Sequence, residues 1–275
     1  MVQLLQGKEI AEKIIAELQR RIKKSGVKLH IAIIVCGNNP ESLLYTKIKQ
    51  KRSTEIGIQA ELFHFPEEVT EAEVLETIVK LNNTVDGIIV QLPLPAPLRP
   101  VIILNAIEPS KDIDGLTDYT LGKVLAGDET LVPATPAGVL ELLKQYNIEL
   151  LGKKITIINH STLIGKPLAM LFLNRGATVT ICHKYTANLI EHTKNADIII
   201  SAVGIPGFIQ EHMIAAGAIL IDIGITKTAT GVVGDVDVES VKEKASFLTP
   251  VPGGIGPMTV AMLLSNVVNI RTKHL

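Results

Sequence analysis

The sequence predicts an α/β protein of two domains, each built on a parallel sheet covered by helices, and three observations carry that prediction. The chain has 275 residues, more than the roughly 100–200 of an average domain. Its short apolar runs, such as residues 31–36, 198–203 and 215–221, are continuous rather than alternating, as in strands buried on both faces. These runs alternate with stretches of helical period, first up to residue 90 and again from residue 153 onward, which is the order of a parallel sheet.

Ile10, Ile14, Ile15, Leu18 and Ile22 recur at helical spacing and predict a first helix, with a strand over 29–35 after Gly26. Asn39-Pro40 supplies a cap and a first-turn proline for a helix to about residue 56, ahead of a strand over 59–65. Thr70 caps a third helix through 81, and a strand over 87–90 follows. Pro93, Pro95, Pro97 and Pro100 end that regularity, leaving a short helix near 102–107 and a polar loop over 109–114. A helix over about 136–146 leads into the second half. There, strands over 155–158, 178–181, 198–201 and 219–223 surround a helix over 166–174. After the turn-rich residues 249–256, Pro257 starts a last helix of about 17 residues.

Apolar residues make up 47% of the chain and charged residues 20%, enough to bury a large core. A formal net charge of -1, from 27 basic and 28 acidic residues, provides no basic field for a phosphate backbone, so no nucleic-acid partner is expected. Cys36 and Cys182 are too few for a disulfide framework and too far apart for a paired metal-ligand motif. Free buried thiols in a reducing, cytoplasmic compartment and no metal are the expectation. Charge at Lys8 and Glu9 precedes any long apolar stretch, which speaks against a secretory signal. No run approaches the ~18 residues of a membrane helix, so no membrane partner is expected.

Ser42, Tyr45 and Lys49 are three and four apart and stack along one helix face, whereas Lys47, Lys51 and Arg52 point elsewhere. A lysine partly out of water and near a cationic substrate is freed as an amine for proton transfer; a solvated helix face explains most such spacings. Val90-Gln91-Leu92 lies where a buried strand breaks at its carboxyl end, the edge at which parallel sheets bind ligands, although a plain turn explains most proline-broken ends. In Lys111-Asp112-Ile113-Asp114-Gly115, Asp114 could accept two hydrogen bonds from an aminopyrimidinone edge, or the aspartates could simply cap a turn. Pro252, Gly253, Gly254, Gly256, Pro257 and Thr259 form the most specific segment, with glycines that let a ligand approach bare amides at a helix start.

In the second half, the strand over 155–158 runs into Asn159-His160-Ser161 and then Ile164-Gly165 at a helix start, the place of a dinucleotide phosphate loop, without the G-x-G-x-x-G fingerprint. The next strand ends at Cys182-His183-Lys184 with no acid to accept ribose hydroxyls. Basic groups there favour a 2'-phosphate, hence NADP over NAD, although a solvated Lys184 is the simpler reading.

Taken in order along nearly the whole chain, these segments resemble the bifunctional methylenetetrahydrofolate dehydrogenase/methenyltetrahydrofolate cyclohydrolase family. The match is closest at residues 45–49, 91–95, 111–115 and 249–259 and at Gly234-Asp235-Val236. The resemblance implies an amino-terminal α/β catalytic domain over 1–136 and 257–275, a Rossmann-like NAD(P) domain with a parallel sheet over 137–256, a folate cleft between them, and a homodimer. It implies that Lys49 is the cyclohydrolase acid/base, that Tyr45 packs on the pterin, that Gln91 tunes Lys49, and that Asp114 holds the pterin amino edge. Ser42, Val90, Leu92 and residues 252–259 would contact folate; Asn159, His160, Ser161, Ile164, Gly165, Lys184 and Ile225 would contact NADP, with NAD possible. The expected activity oxidises 5,10-methylenetetrahydrofolate to the methenyl compound and hydrolyses that to 10-formyltetrahydrofolate. A cyclohydrolase with weak or NAD-dependent dehydrogenase activity and a non-catalytic folate-binding protein are the alternatives. The Tyr-Lys spacing is also similar to that of short-chain dehydrogenases, but those place their nucleotide-binding unit first. This chain departs from the family pattern at His160, where an arginine usually helps hold the 2'-phosphate, and at Thr120, Ala134 and Thr226.

Overall fold

The computed structural model describes residues 2–229 and 231–272, of Thr272 the backbone only. The first half contains β1 (Gln3–Leu4), α1 (Gly7–Ser25), β2 (Leu29–Cys36), α2 (Pro40–Glu55), β3 (Ile58–Phe65), α3 (Glu71–Thr84), β4 (Gly87–Val90), α4 (Pro100–Asn105) and α5 (Asp118–Leu125). The second contains α6 (Ala134–Gln145), β5 (Lys154–Ile158), α7 (Gly165–Leu173), β6 (Thr178–Cys182), α8 (Leu189–Thr193), β7 (Ile198–Ser201) and β8 (Ile219–Asp222). It closes with β9 (Thr226–Thr228), β10 (Gly231–Val233), α9 (Val238–Val241), β11 (Phe247–Leu248) and α10 (Ile255–Thr272). Two compact units result, Lys13–Ala134 with Val260–Leu275, and Met1–Glu12 with Thr135–Thr259. Among the described residues no helix is long and apolar enough to cross a membrane.

The Lys13–Ala134 unit holds a three-stranded parallel sheet of order β3-β2-β4. All of β4 and nearly all of β2 are buried, as their unbroken apolar sequences require. Helix α2 starts where Asn39 Oδ1 accepts the Glu41 and Ser42 amides, both at 3.0 Å, and α3 starts in a capping box between Thr70 and Glu73. Val74, Ile78 and Leu81 of α3 and Ile103 and Leu104 of α4 pack with Ile34, Ile88 and Val90 into one core. In this sheet β2 has β3 on one side and β4 on the other, so the crevice for a ligand opens at their carboxyl ends, beside Gly37 and Gln91.

The other unit carries a six-stranded sheet of order β1-β11-β8-β7-β5-β6, parallel throughout. Here β5 is the switch point, flanked by β6 and β7. The short strand β1 joins the far edge, with Gln3 opposite Phe247 and Leu4 opposite Leu248. That pairing groups Met1–Glu12 with the six-stranded unit, whereas the sequence reading places residues 1–136 in the first domain. Its outer limits, residues 1 and 275, lie outside the described residues. A two-residue strand has no periodicity to read.

The pattern reading leaves out α5 and the antiparallel pair β9–β10 as well, and the last helix begins at Ile255 rather than Pro257. Pro257 is still in the first turn, where a missing N–H costs no intrahelical bond.

Candidate active site and nucleotide-binding loops

Helix α2 is buried along a polar stripe rather than an apolar one, through Ser42, Thr46, Lys49 and Ser53. Lys49 is only 8% exposed, and its Nζ donates to Asp114 Oδ2 at 3.3 Å. One turn on, Ser53 Oγ donates to the Lys49 carbonyl at 2.8 Å. Tyr45, on the same helix, is half-buried, and burial, reinforced by the charge of Glu41, pushes its phenol pKa up.

At the end of β4, Val90 is buried, and the Gln91 amide donates to Ile34 O at 2.8 Å, extending the ladder one residue past the strand. Gln91 Nε2 donates to Leu92 O at 2.8 Å, with Leu92 half-buried beside it. Gln91 Oε1, Ser42 Oγ and Thr46 Oγ1 are buried without a hydrogen-bond partner. Leaving such atoms unpaired costs roughly 1–3 kcal/mol each, so the two on α2 with Lys49, and Gln91 Oε1 at the end of β4, mark polar surface shaped for a ligand.

The two aspartates of the 111–115 loop divide the labour. Asp112 is 1% exposed. Its Oδ1 accepts the Gly115 and Leu116 amides, both at 3.0 Å; Oδ2 accepts the Thr117 amide at 2.9 Å and Thr120 Oγ1 at 2.7 Å. Asp112 is therefore the turn-capping carboxylate, and Asp114 is the one presented to Lys49. Thr120 belongs to this network. Lys111 Nζ donates to Val85 O at 2.6 Å, and burial pushes its pKa down. Gly115 has φ +76°, and a Cβ there would lie 2.7 Å from Pro133 N, so only glycine fits. From α10, Asn266 Nδ2 donates to Ile113 O and to Val132 O, both at 3.0 Å, fixing the loop from the far side.

We predict that Asp112→Asn, which sets an NH2 among these donors, lowers stability by about 2 kcal/mol. It should also slow any reaction that depends on Asp114. Urea unfolding checks the first expectation, and an unchanged midpoint refutes it.

Residues 250–259 belong to the six-stranded unit. Gly254 N donates to Pro250 O at 2.8 Å, and the Lys8 amide donates to Gly253 O at 2.9 Å. A Cβ on Gly7 would fall 2.0 Å from Gly254 O. Gly254 is itself required by its own turn, since a Cβ there would fall 2.7 Å from Pro250 O. Gly253 has φ +111°, while a Cβ on Gly256 would meet nothing within 4 Å, so the open side of the turn is at Gly256. Pro252 is exposed, Pro257 is half-buried, and Thr259 Oγ1 donates to Thr135 Oγ1 at 3.1 Å.

At the switch point, Asn159 organises the β5–α7 loop from within. Its Oδ1 accepts the Ser161 amide at 2.8 Å, Ser161 Oγ at 2.7 Å and the Gly165 amide at 3.1 Å. Its Nδ2 donates to Ala202 O at 2.7 Å, tying the carboxyl ends of β5 and β7 together. A Cβ on Gly165 would sit 2.0 Å from Asn159 O, so this is a glycine-dependent strand-to-helix turn without the usual fingerprint. Ile164 is half-buried at the start of α7, and Ile225 is exposed just after β8. His160, His183 and Lys184 are exposed at the ends of β5 and β6. Thr226 Oγ1 donates to Gly204 O at 3.2 Å.

Two buried carboxylates brace the loops behind β7 and β8. Asp222 Oδ1 accepts the Gly224 and Asp235 amides at 2.9 and 3.0 Å, and Oδ2 accepts the Val236 amide at 2.9 Å. Asp235 accepts Ser201 Oγ and the Val203 amide, both at 2.8 Å, and the Ile205 amide at 2.9 Å. Burial pushes the Asp222 carboxyl up to about 6 against the pull of those amides, the nearby charge of Asp235 adding to it. Sequence reasoning missed Thr46, Ser53, Asp222 and Asn266. Asn266 carried a signal, a lone amide inside the apolar run of residues 260–268.

Among the described residues no three His, Cys, Asp or Glu side chains converge as a metal site. Burial pushes the Cys36 thiol up to about 11 and Cys182 upward as well, which keeps both unreactive.

Comparison with known proteins assigns this arrangement. Residues 5–114 match the family model described as "Tetrahydrofolate dehydrogenase/cyclohydrolase, catalytic domain", and residues 133–275 match its "NAD(P)-binding domain". The chain is 44% identical to the bifunctional protein FolD of a Hydrogenobaculum species, over 99% of both chains. The structure is similar to the crystal structure of FolD methylenetetrahydrofolate dehydrogenase/cyclohydrolase from Campylobacter jejuni, at TM-score 0.96 and 42% identity over 100% of both chains. It is also similar to FolD from Trypanosoma brucei complexed with NADP cofactor and inhibitor, at TM-score 0.94 and 31% identity over 100% of this chain and 99% of that one. A lysine–aspartate pair on a three-stranded unit, a glycine-dependent dinucleotide turn on a six-stranded one, and family matches over both place this chain in the tetrahydrofolate dehydrogenase/cyclohydrolase family.

Proposed function

We propose that this chain oxidises 5,10-methylenetetrahydrofolate to 5,10-methenyltetrahydrofolate with NADP and hydrolyses the product to 10-formyltetrahydrofolate in one-carbon metabolism. The observation that carries this reading is the buried Lys49, its Nζ 3.3 Å from Asp114 Oδ2, in a chain whose other unit matches an NAD(P)-binding domain. The three-stranded unit serves as the folate-binding catalytic part and the six-stranded unit as the nucleotide-binding part.

NADP, when bound, accepts the hydride of the methylene carbon. The residues present fit such a dinucleotide, since the β5–α7 turn is closed by Asn159 around a glycine that admits no side chain. Ser161, Ile164, Gly165 and Ile225 line the loops at the strand ends where it would lie. No strong acid is needed on the folate side, because the adjacent nitrogen lone pair stabilises the developing cation and alignment does the rest.

Hydrolysis asks more of the side chains. A pterin whose amino edge donates to Asp114 competes with Lys49 for that carboxylate and loosens the pair. Once Lys49 has released its ammonium proton to solvent, its amine accepts a proton from the water that adds to the methenyl carbon. Returning that proton to N5 as the C–N5 bond breaks, while the adduct's hydroxyl proton passes to solvent, gives the 10-formyl product. Tyr45 offers its ring to the pterin and Ser42 its unpaired hydroxyl, while Gln91, with its free Oε1, steers Lys49. Val90 and Leu92 complete the folate contacts of this unit.

We further propose a homodimer, which the family resemblance supports, and a cytoplasmic location, which the two free thiols support. A weaker or NAD-dependent dehydrogenase is a second reading, favoured by His160 in place of arginine. One assay separates the two, following methenyl formation with NADP and with NAD, and methenyl hydrolysis without cofactor. NADP-driven formation together with hydrolysis supports the first reading; hydrolysis with NADP-silent oxidation supports the second, and silence throughout refutes both.

A further inference from the structure

His160 and His183 come from different loops, after β5 and after β6, yet their rings meet edge to face with centroids 5.2 Å apart. Both are exposed, so hydrophobic burial does not explain the contact. The second ring also meets Tyr185 at 6.0 Å. In a dinucleotide-binding sheet the end of the second strand faces the adenosine ribose, and its charge sorts cofactors with a 2'-phosphate from those without. Here that position carries a pair of imidazoles and no carboxylate.

The two rings differ in what they can do. His183 Nδ1 accepts the Tyr185 amide at 3.2 Å, and the His183 amide donates to Thr186 Oγ1 at 2.8 Å. With Nδ1 taken up as an acceptor, Nε2 is the ring nitrogen left to donate to a ligand. His160 shows no such bond on its ring, so both of its nitrogens are open to a ligand. The other titratable or charged groups on the neighbouring elements are Lys154 at the far end of β5, Lys166 in the first turn of α7, the buried Cys182 on β6, Lys184 and Tyr185 on the turn after it, and Glu191 and His192 on α8. Lys184 Nζ lies 4.9 Å from the Tyr185 ring centroid, which places its head group on this turn.

We propose that His160 and His183 form a pH-gated selector for the 2'-phosphate of NADP, with His160 taking up one proton from solvent as the phosphate binds and His183 donating from Nε2. This rests on the NAD(P)-binding reading above and adds that preference for NADP over NAD declines as pH rises through the histidine range. An arginine, charged at every relevant pH, would give a preference without that slope.

Isothermal titration of the full chain with NADP and with NAD, at about pH 6 and about pH 8, tests it, with buffers of differing ionisation enthalpy to count protons near neutrality. The NADP Kd should weaken roughly tenfold from the lower to the higher pH, with up to about one proton taken up per NADP, while NAD shifts by less than about twofold and takes up none. His160→Arg should tighten NADP binding at the higher pH and abolish the slope. His183→Gln should weaken NADP at both pH values and keep the slope. Equal pH dependence for NADP and NAD, or a slope that survives His160→Arg, overturns the selector but leaves dinucleotide binding standing. Absence of binding by either nucleotide overturns both.

Discussion

Lys49→Arg should abolish methenyl hydrolysis and leave the protein folded and able to oxidise. Arginine keeps a positive charge beside Asp114 and cannot accept the proton of the attacking water. Loss of a positioned acid/base costs typically 10²–10⁴-fold in rate, so the hydrolysis kcat should fall by at least about a hundredfold. Hydride removal needs no proton acceptor on the folate, and its kcat should stay within roughly tenfold of the parent value. Lys49→Met, which removes the charge as well, should do the same to hydrolysis and also leave Asp114 without its partner, costing some stability. Methenyl absorbance followed with and without NADP measures both steps on one sample. Hydrolysis that survives Lys49→Arg would remove the amine from the mechanism.

Asp235→Ala should have the largest effect on stability of any single change in the six-stranded unit. It leaves the Ser201 hydroxyl and the Val203 and Ile205 amides without an acceptor in a site that is 0% exposed. Stranding buried donors of a charged network costs about 3–5 kcal/mol, or about 6–15 °C in Tm for a chain near this size. Asp222 adds a pH signature. Its carboxyl, raised by burial to about 6 from an unfolded value near 4, binds protons more tightly in the folded state. Its contribution is therefore fully present below about pH 4 and is lost as pH rises through 6, on the order of 3 kcal/mol. Across that window the parent should lose about 3 kcal/mol relative to Asp222→Asn, which does not titrate, and parallel denaturation curves would show that the group does not titrate there.

How much of this was legible in the sequence depends on where each signal is written. The continuous apolar strands and the caps at Asn39 and Thr70 are local, and β2, α2, α3, β4, β5 and β7 follow from them. Strands β1 and β11 are two residues each, and β1 exists only because it meets β11 across more than 240 residues of chain. At the site, the spacing of Ser42, Tyr45 and Lys49 placed them on one helix, and the 111–115 loop was recognisable as two carboxylates. Which carboxylate would turn inward to cap and which would meet the lysine depended on amides at 115–117 and the hydroxyl of Thr120, contacts that no spacing rule encodes. Among the glycines of 253–256, Gly254 is required by the turn itself, a steric demand that the sequence does not separate from room for a ligand. Asp222 and Asp235 escaped notice as a pair because thirteen residues and a hairpin separate them.

The β5–α7 turn also bears on how a nucleotide would arrive. Because Asn159 already bonds to three groups of its own loop and to Ala202 across the sheet, the backbone there is in its final shape before any phosphate reaches it. Little ordering entropy then has to be surrendered on association. Amide exchange in that loop should accordingly be slow in the empty protein and change little when it is loaded, so that discrimination among cofactors falls to the side chains at its rim.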